Sequence, residues 1–192
     1  MASKPPVAVL DACVLYPFHL RNVLIQAAFD GLFDARWTED IHEEWIRNLI
    51  ANAKGVSRER LEATRDKMMT VLPEANVIDY HALIPGLDLP DPDDRHVLAA
   101  AIAGQASVIV TWNLKDFPTS SLQSHGIVCI SPDAFMMALH ALFPDAVIDS
   151  AARARHNLRK SLPTADEFID AVARQGLTAF AAILLREATR LR

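Results

Sequence analysis

The sequence has little cysteine and no long hydrophobic run. Its 192 residues include only two cysteines, Cys13 and Cys129, too few for a disulfide framework and typical of a reducing compartment. No apolar stretch approaches the roughly 20 residues that a membrane-spanning helix needs. The first residues lead directly into an apolar segment, so we expect no signal peptide. These absences predict a cytoplasmic protein with no membrane association.

Several motifs of nucleotide-binding and hydrolytic proteins are also missing. The chain has no glycine-rich phosphate loop, no Gly-x-Gly-x-x-Gly and no Gly-x-Ser-x-Gly segment. Its histidines and cysteines do not follow the spacing of a zinc site. Positive charge is not in excess either, because 19 basic and 24 acidic residues give a net charge of −5. This balance excludes a uniformly basic nucleic-acid coat protein but not a nuclease with an acidic metal site.

What is present is an ordinary globular composition, with 51% apolar and 22% charged residues. Short apolar segments typical of buried strands alternate mostly with helical patterns, two of which begin after the N-cap candidates Thr38 and Ser57. The predicted strands are residues 7–10, 35–37, 76–78, 107–111 and 127–130. Five strands separated mainly by helices predict an α/β fold with a five-stranded, mainly parallel sheet.

The pattern changes near residue 144, after which no strand is predicted. Residues 1–144 hold 11 basic and 18 acidic residues, a net charge of −7, whereas residues 145–192 hold 8 and 6, a net charge of +2. Thr164 and Glu167 form a capping-box pattern that opens one of the C-terminal helices. We therefore expect a main domain over residues 1–143 and a helical appendage over residues 144–192.

Acidic residues occur where a parallel sheet places its ligands, beyond the carboxyl ends of the strands. Asp11 ends the first strand, and Thr111, Asn113 and Asp116 follow the fourth. Other carboxylates stand at a helix start and on the helix after the second strand: Asp91, Asp93, Asp94, Glu43 and Glu44. Carboxylate oxygens suit Mg²⁺ or Mn²⁺ better than zinc. Together these residues predict one acidic metal site at a single edge of the sheet.

Each carboxylate also has a structural interpretation. Asp91 precedes a proline and is favoured as a helix N-cap, and Asp93 complements the helix dipole. Asp94 either closes a capping box or points over the helix start toward a metal. Glu44 is favoured over Glu43 because it lies closer to the apolar stripe of its helix.

Three further residues are assigned structural roles at this point. Asp116 alone is compatible with a turn cap, and His96 is favoured as an ordinary histidine on a helix face. Cys13 is interpreted as a small buried hydrophobe rather than a nucleophile.

Three segments carry a resemblance to a known family. Val7–Leu15 (VAVLDACVL), Asp91–Ala101 (DPDDRHVLAAA) and Val108–Phe117 (VIVTWNLKDF) resemble the sequence blocks of the PIN-domain family, many of whose members are VapC-like toxins of bacterial toxin–antitoxin pairs. The similarity covers roughly residues 5–140. It implies an αβα sandwich with a parallel sheet, and an acidic pocket that holds Mg²⁺ or Mn²⁺ and cleaves RNA.

The resemblance assigns roles residue by residue. It implies that Asp11, Glu44, Asp94 and Asp116 are catalytic, with metal held by the three aspartates and Glu44 binding metal or orienting the attacking water. Thr111 and Asn113 match accessory polar positions. Cys13 stands where many members carry Asn or Ser, which leaves a supporting hydrogen bond to Asp11 in question.

The implied function is a Mg²⁺- or Mn²⁺-dependent endoribonuclease, the toxin of a type II toxin–antitoxin pair. Its partners would be RNA, a cognate antitoxin and a second copy in a homodimer. A housekeeping PIN nuclease, a binding module without catalysis and a metal-dependent phosphatase of the haloacid-dehalogenase type stay as alternatives. The phosphatase would need a second aspartate at the position of Cys13.

The appendage leaves two alternatives open. Its apolar residues at helical spacing must be buried, and docking on the main domain is favoured. In the second alternative it grips RNA or the antitoxin through four outward-facing basic residues, Arg153, Arg155, Arg159 and Lys160.

Overall fold

The computed structural model describes residues 4–191. Its strands and α-helices, in chain order, are β1 (Val7–Leu10), α1 (Ala12–Leu15), α2 (Phe18–Phe29), β2 (Asp34–Arg36), α3 (Glu39–Asn52), α4 (Arg58–Val71), α5 (Arg95–Ala103), β3 (Val108–Val110), α6 (Thr119–Leu122), β4 (Val128–Ile130), α7 (Pro132–Leu142), α8 (Pro144–His156), α9 (Ala165–Arg174) and α10 (Thr178–Arg186). The chain divides into two compact units. The sheet unit comprises Pro6–Tyr16 and Asp34–Ser131, and the helical unit is formed mainly by Pro17–Phe33 and Pro132–Arg192.

The sheet unit is built on a parallel sheet with the strand order β2-β1-β3-β4. Its central strands are apolar on both faces, and Val9, Leu10 and Val110 are fully buried. The register pairs Leu10 with Val110 and Val110 with Ile130. Because these three strands end side by side, the residues that follow β1 and β3 lie at the same edge of the sheet.

The predicted α/β class with a parallel sheet is confirmed, but residues 4–191 form four strands rather than five. Residues 76–78, predicted as a strand, make only an isolated parallel bridge between Trp37 and Asn76. A 3₁₀ turn, Pro73–Ala75, precedes this segment, and Asp79 follows it with a left-handed φ of 60°. The extended stretch between these two features is as long as β2, β3 or β4, but it pairs only through this one bridge to Trp37, the residue after β2.

Predicted helix starts agree with the structure at three positions. Thr38 Oγ1 accepts from Ile41 N at 3.2 Å, and Ser57 Oγ accepts from Arg60 N at 3.4 Å. The capping box that begins at Thr164 is complete. The prediction of Asp91 as a helix N-cap needs a correction. The Asp91 side chain caps a short 3₁₀ turn, Pro92–Asp94, and α5 begins only at Arg95.

The helical unit buries the apolar residues that recur at helical spacing near the C-terminal end of the sequence. The fully buried members are Phe168, Val172, Leu177, Phe180 and Leu184. Within this unit α8 packs on α2 and α7, and α10 packs on α7 and α9. Asp133 of α7 accepts from the backbone N–H groups of Ala179 and Phe180 at 2.9 and 3.0 Å, which caps the start of α10. The domain boundary at residue 144 stays a prediction.

Two of the four clustered basic residues make polar contacts within the helical unit. Arg155 is half-buried and donates to the backbone oxygens of Pro163 and Leu191 at 2.7 and 2.5 Å. Arg153 forms an ion pair with Asp30 at 3.0 Å. The hypothesis of four outward-facing cations is therefore wrong for Arg155. Arg159 and Lys160 are exposed.

Asp30 is expected to stabilise the helical unit in a pH-dependent way. Partial burial alone would raise the pKa of Asp30, but hydrogen bonds from Gln26 and Arg153 lower it below its ordinary value. A carboxyl with a lowered pKa stabilises the fold above its unfolded pKa, and this stabilisation is lost as the pH falls. Asp30→Ala should lower the free energy of unfolding by about 1–3 kcal/mol at pH 7 and by less at pH 3, in denaturant titrations. An equal loss for the exposed control Asp170→Ala would contradict this.

None of the helices formed by residues 4–191 has both the length and the apolar character needed to cross a membrane.

Candidate active site

Asp11 is fixed at the carboxyl edge of the sheet by its neighbours. Its backbone N donates to Val110 O at 3.2 Å, as a continuation of the β1–β3 pairing. Its Oδ1 accepts from Ala12 N at 2.6 Å, and its Oδ2 accepts from Thr111 Oγ1 at 2.6 Å. The side chain is buried, and this burial raises the pKa of Asp11 above its ordinary value although the hydrogen bonds oppose the shift. The predicted residues Asp11 and Thr111 are thus in direct contact.

Cys13 belongs to this same hydrogen-bonded group. Its Sγ lies 3.1 Å from Asp11 Oδ2 and 3.2 Å from Thr111 Oγ1, and it accepts from Trp112 N at 3.3 Å. Cys13 is therefore hydrogen-bonded as well as partly buried, which its interpretation as a small buried hydrophobe did not include. Burial and the charge of Asp11 raise the pKa of the thiol to about 12, so it stays protonated and donates to Asp11. The hydrogen bond that the sequence left in question is present.

The three aspartates at the start of α5 differ in their surroundings. Asp91 Oδ1 accepts from Asp93 N at 2.9 Å, which is the cap interaction, and the Asp93 side chain is exposed. Asp94 is half-buried, and within residues 4–191 its carboxylate has no described hydrogen bond or ion pair. Burial, reinforced by the charges of other carboxylates, raises the pKa of Asp94 to about 7. Those carboxylates are Asp11, Asp91, Asp116 and Glu44.

The two glutamates of α3 also have different environments. Glu43 is exposed and forms an ion pair with Arg58 at 2.9 Å. Glu44 is half-buried, and its Oε2 lies 3.4 Å from His96 Nε2. Glu44 therefore belongs to the acidic group and Glu43 does not.

His96 is a residue of this site that sequence reasoning missed. Its side chain is 15% exposed. Burial acts to lower the pKa of His96, but the hydrogen bond and charge of Glu44, with the charges of Asp40 and Asp11, raise it above its ordinary value. One signal was available, since His96 is two residues from Asp94 in the first turn of α5.

An open cleft of about 540 Å³ exposes part of this group. Its lining residues are Asp40, Glu44, Arg47, Asp91, Asp93, Asp94, His96 and Asn113. Five of these eight side chains are carboxylates, so the cleft is strongly acidic. Three basic residues belong to the segments around the cleft: Arg47 lines it, Arg95 Nη2 lies 3.7 Å from Asp88 Oδ1, and Lys115 is exposed.

Asp116 lies just beyond Asn113, in the 3₁₀ turn Leu114–Asp116. Its backbone N donates to Asn113 O at 3.0 Å, and its side chain is half-buried. Its charge contributes to the raised pKa of Asp94. The structure thus places Asp11, Glu44 and Asp116 within electrostatic reach of Asp94, with Thr111 hydrogen-bonded to Asp11 and Asn113 in the cleft.

The chemistry of this group fits a hard divalent cation. Within residues 4–191, no three His, Cys, Asp or Glu side chains form a ready-made metal-holding arrangement. The donors are nevertheless carboxylate oxygens, the preferred ligands of Mg²⁺ and Mn²⁺. Burial and the charges of neighbouring carboxylates together raise the pKa of Asp94 to about 7, and a bound cation would relieve the repulsion among these carboxylates. The ligand set Asp11, Asp94 and Asp116 stays a prediction.

The metal-free protein should lose stability as the pH rises. The pKa of Asp94 is about 7 in the folded protein against an ordinary value of 3.8, so the folded state binds the proton more tightly between these values. Asp94→Asn should therefore raise the Tm of the metal-free protein at pH 8 and change it little at pH 4.5. A free-energy change of 1 kcal/mol moves the Tm of a chain of this size by about 2–4 °C.

Thermal unfolding with and without Mn²⁺ measures both effects. Mn²⁺ should raise the wild-type Tm at pH 8 by binding the folded state, and it should raise the Tm of Asp94→Asn less. The exposed control Glu74→Gln should respond to Mn²⁺ as the wild type does. A lower Tm for metal-free Asp94→Asn at pH 8 would contradict the electrostatic account.

Comparison with known proteins identifies the family. Residues 7–115, more than half of the chain, match the family model described as PIN domain, and residues 132–186 match the VapC50 C-terminal domain. A protein of Mycobacterium tuberculosis (strain ATCC 25618 / H37Rv), named "Putative ribonuclease VapC50", is 47% identical over 53 residues. This match covers 28% of the present chain and 31% of that relative. No solved structure matches significantly. With the acidic group at the carboxyl edge of a parallel sheet, the match over residues 7–115 shows that the chain belongs to the PIN domain family.

Proposed function

We propose that this chain is a divalent-metal-dependent endoribonuclease that hydrolyses RNA phosphodiester bonds. The observation that carries the proposal is the carboxylate group around Asp94, where burial, reinforced by the charges of the neighbouring carboxylates, raises the pKa of Asp94 to about 7. The name of the VapC50 relative supports ribonuclease activity. Hydrolysis of a phosphodiester needs an activated water and stabilisation of charge on the leaving oxygen, and a carboxylate-bound Mg²⁺ or Mn²⁺ supplies both.

The aspartates would bind the metal ion, and neighbouring side chains would fix the orientation of Asp11. In this proposal Asp11, Asp94 and Asp116 are the metal ligands. Thr111 Oγ1 and Cys13 Sγ donate to the same oxygen of Asp11, which fixes the orientation of its carboxylate. A thiol with a pKa of about 12 keeps its proton for this bond, and a reducing cytoplasm would preserve the thiol itself.

The remaining polar residues would act on water and substrate. Glu44 lies in the cleft, where it would orient the attacking water or contribute to the metal site. Asn113 also lines the cleft, and its amide would donate to a phosphate oxygen. Arg47 is the one arginine among the described cleft residues, and it would contact the RNA backbone.

We further propose that the chain is the toxin of a type II toxin–antitoxin pair. The resemblance to VapC-like toxins and the match of residues 132–186 to the VapC50 C-terminal domain support this role. RNA would be the substrate, a cognate antitoxin the inhibitor, and a homodimer the expected assembly. A housekeeping PIN nuclease is the second candidate, because the acidic site alone does not separate a toxin from a housekeeping enzyme.

Incubation with a mixed RNA pool tests the nuclease proposal. We expect fragments with Mn²⁺ or Mg²⁺, none with EDTA, and no release of phosphate from a small phosphomonoester. Nothing at position 13 favours the phosphatase alternative, because Cys13 occupies the place of its second aspartate. Phosphomonoester hydrolysis without RNA cleavage would overturn the proposal, and RNA binding without cleavage would favour a binding module.

A further inference from the structure

The acidic cleft contains one buried side chain that the proposed reaction has not used. His96 of α5 faces Glu44 of α3, with His96 Nε2 3.4 Å from Glu44 Oε2. The His96 side chain is 15% exposed and that of Glu44 is 31% exposed. The contact therefore joins two different helices at a position where burial restricts both side chains to few rotamers.

Two other acidic residues of α3, Asp40 and Glu43, have partners of their own. Asp40 accepts from the Tyr80 hydroxyl at 2.5 Å and lies 3.3 Å from His81 Nε2, and Glu43 pairs with Arg58. Among the contacts described for residues 4–191, the Glu44 carboxylate interacts with His96 alone. His96 is thus the group that can determine where the Glu44 carboxylate lies.

Such a partner is needed because Glu44 stands among like charges. The charges of Asp11 and Asp40 raise the pKa of His96, the partner of Glu44. The charge of Glu44 in turn contributes to the raised pKa of Asp94. Repulsion from these groups favours rotamers that turn Glu44 away from the acidic site. A hydrogen-bond donor on α5, two residues after Asp94, opposes that movement.

We propose that His96 is a positioning residue, which holds the Glu44 carboxylate toward the acidic site through an Nε2–H hydrogen bond. This inference rests on the proposed function, in which Glu44 takes part in RNA hydrolysis. His96 itself touches neither the substrate nor the reacting atoms in this role. Its contribution should therefore disappear when Glu44 can no longer act.

Single variants test whether the hydrogen-bond donor matters. His96→Ala should lower kcat by about a hundred-fold, the cost of a small misplacement of a reacting group, and should change KM little. His96→Gln should restore much of kcat, because its amide nitrogen can donate from a similar position. The matched control is His81→Ala, which removes a comparable histidine–carboxylate contact from the exposed side of Asp40 and should leave kcat unchanged. Equal losses of kcat for the Ala and Gln variants, in parallel with lower Tm, would reduce His96 to a structural role.

A double-mutant cycle with Glu44→Gln tests whether His96 acts through Glu44. The loss caused by His96→Ala should be much smaller in the Glu44→Gln background than in the wild type. A full hundred-fold loss in both backgrounds would overturn the positioning role, while the nuclease itself would stand. An inactive wild type would instead contradict the proposed function.

Nuclear magnetic resonance of the metal-free protein gives a readout that does not depend on activity. Glu44→Gln should shift the imidazole Nε2 resonance of His96 and leave that of His81 unchanged. An unchanged His96 resonance would show that the contact does not form in solution and would overturn the inference.

Discussion

Asp11→Asn is expected to reduce metal-dependent RNA cleavage by about a thousand-fold, equivalent to about 4 kcal/mol of transition-state stabilisation. The reason is that the variant removes the negative charge of a predicted metal ligand while keeping its shape. An asparagine oxygen can still accept from Ala12 N, and its two amide hydrogens can donate to Thr111 Oγ1 and to Cys13 Sγ, both in the reverse direction to the bonds that Asp11 accepts. Because burial disfavours the charged form of Asp11, the variant should be at least as stable as the wild type.

Cleavage rates and thermal unfolding should be measured on the same preparations. Asp94→Asn and Asp116→Asn should show losses of similar size, whereas the exposed control Glu74→Gln should cleave RNA at the wild-type rate. A folded Asp94→Asn protein with full activity would contradict the choice of Asp94 over Asp91 and Asp93. Retained activity in Asp11→Asn would contradict the acidic site as a whole.

Induced expression of the intact chain is expected to arrest bacterial growth, and Asp11→Asn is expected to abolish the arrest. A ribonuclease released from its inhibitor degrades RNA that the cell needs, so toxicity should follow catalytic activity. Colony counts and the mapping of RNA ends after brief induction measure both consequences. Co-expression of the product of a small neighbouring gene should restore growth if that product is the antitoxin.

Protein levels provide the necessary control. Wild type and Asp11→Asn must accumulate equally, because a misfolded variant would be harmless for a trivial reason. If cells tolerate both proteins under verified induction, the toxin proposal fails and the housekeeping nuclease becomes the better candidate.

The sequence predicted the parts of the fold that depend on local chemistry. Thr38, Ser57 and Thr164 act as helix caps because their hydroxyl oxygens satisfy nearby backbone amides. A fifth strand was predicted because residues 76–78 have strand-like side chains. In the structure only Asn76 forms a bridge, with Trp37. Pairing of this kind depends on the surrounding backbone, which no short segment encodes.

Residues of the site were predictable where position in the chain limits their role. Asp11 follows a buried strand, and the parallel topology places Thr111 beside it. The contacts of Cys13 and His96 were not predictable in this way, since each depends on a partner from a distant segment. Thr111 is 98 positions from Cys13 and faces it across the β1–β3 pair. Composition and periodicity carry no information on such pairs.

The division of the helical unit between two distant segments has a consequence during synthesis. Asn22 of α2 donates to Ala154 O at 2.8 Å across 132 positions, and Leu20 N donates to Gln175 Oε1 at 2.7 Å across 155. At about 5–20 residues per second, a ribosome makes α2 on the order of ten seconds before these partners. The last helices made thus bury the first long one. A ribosome stalled within Asp34–Ser131 has made α2 without the partners that α2 has in the folded helical unit.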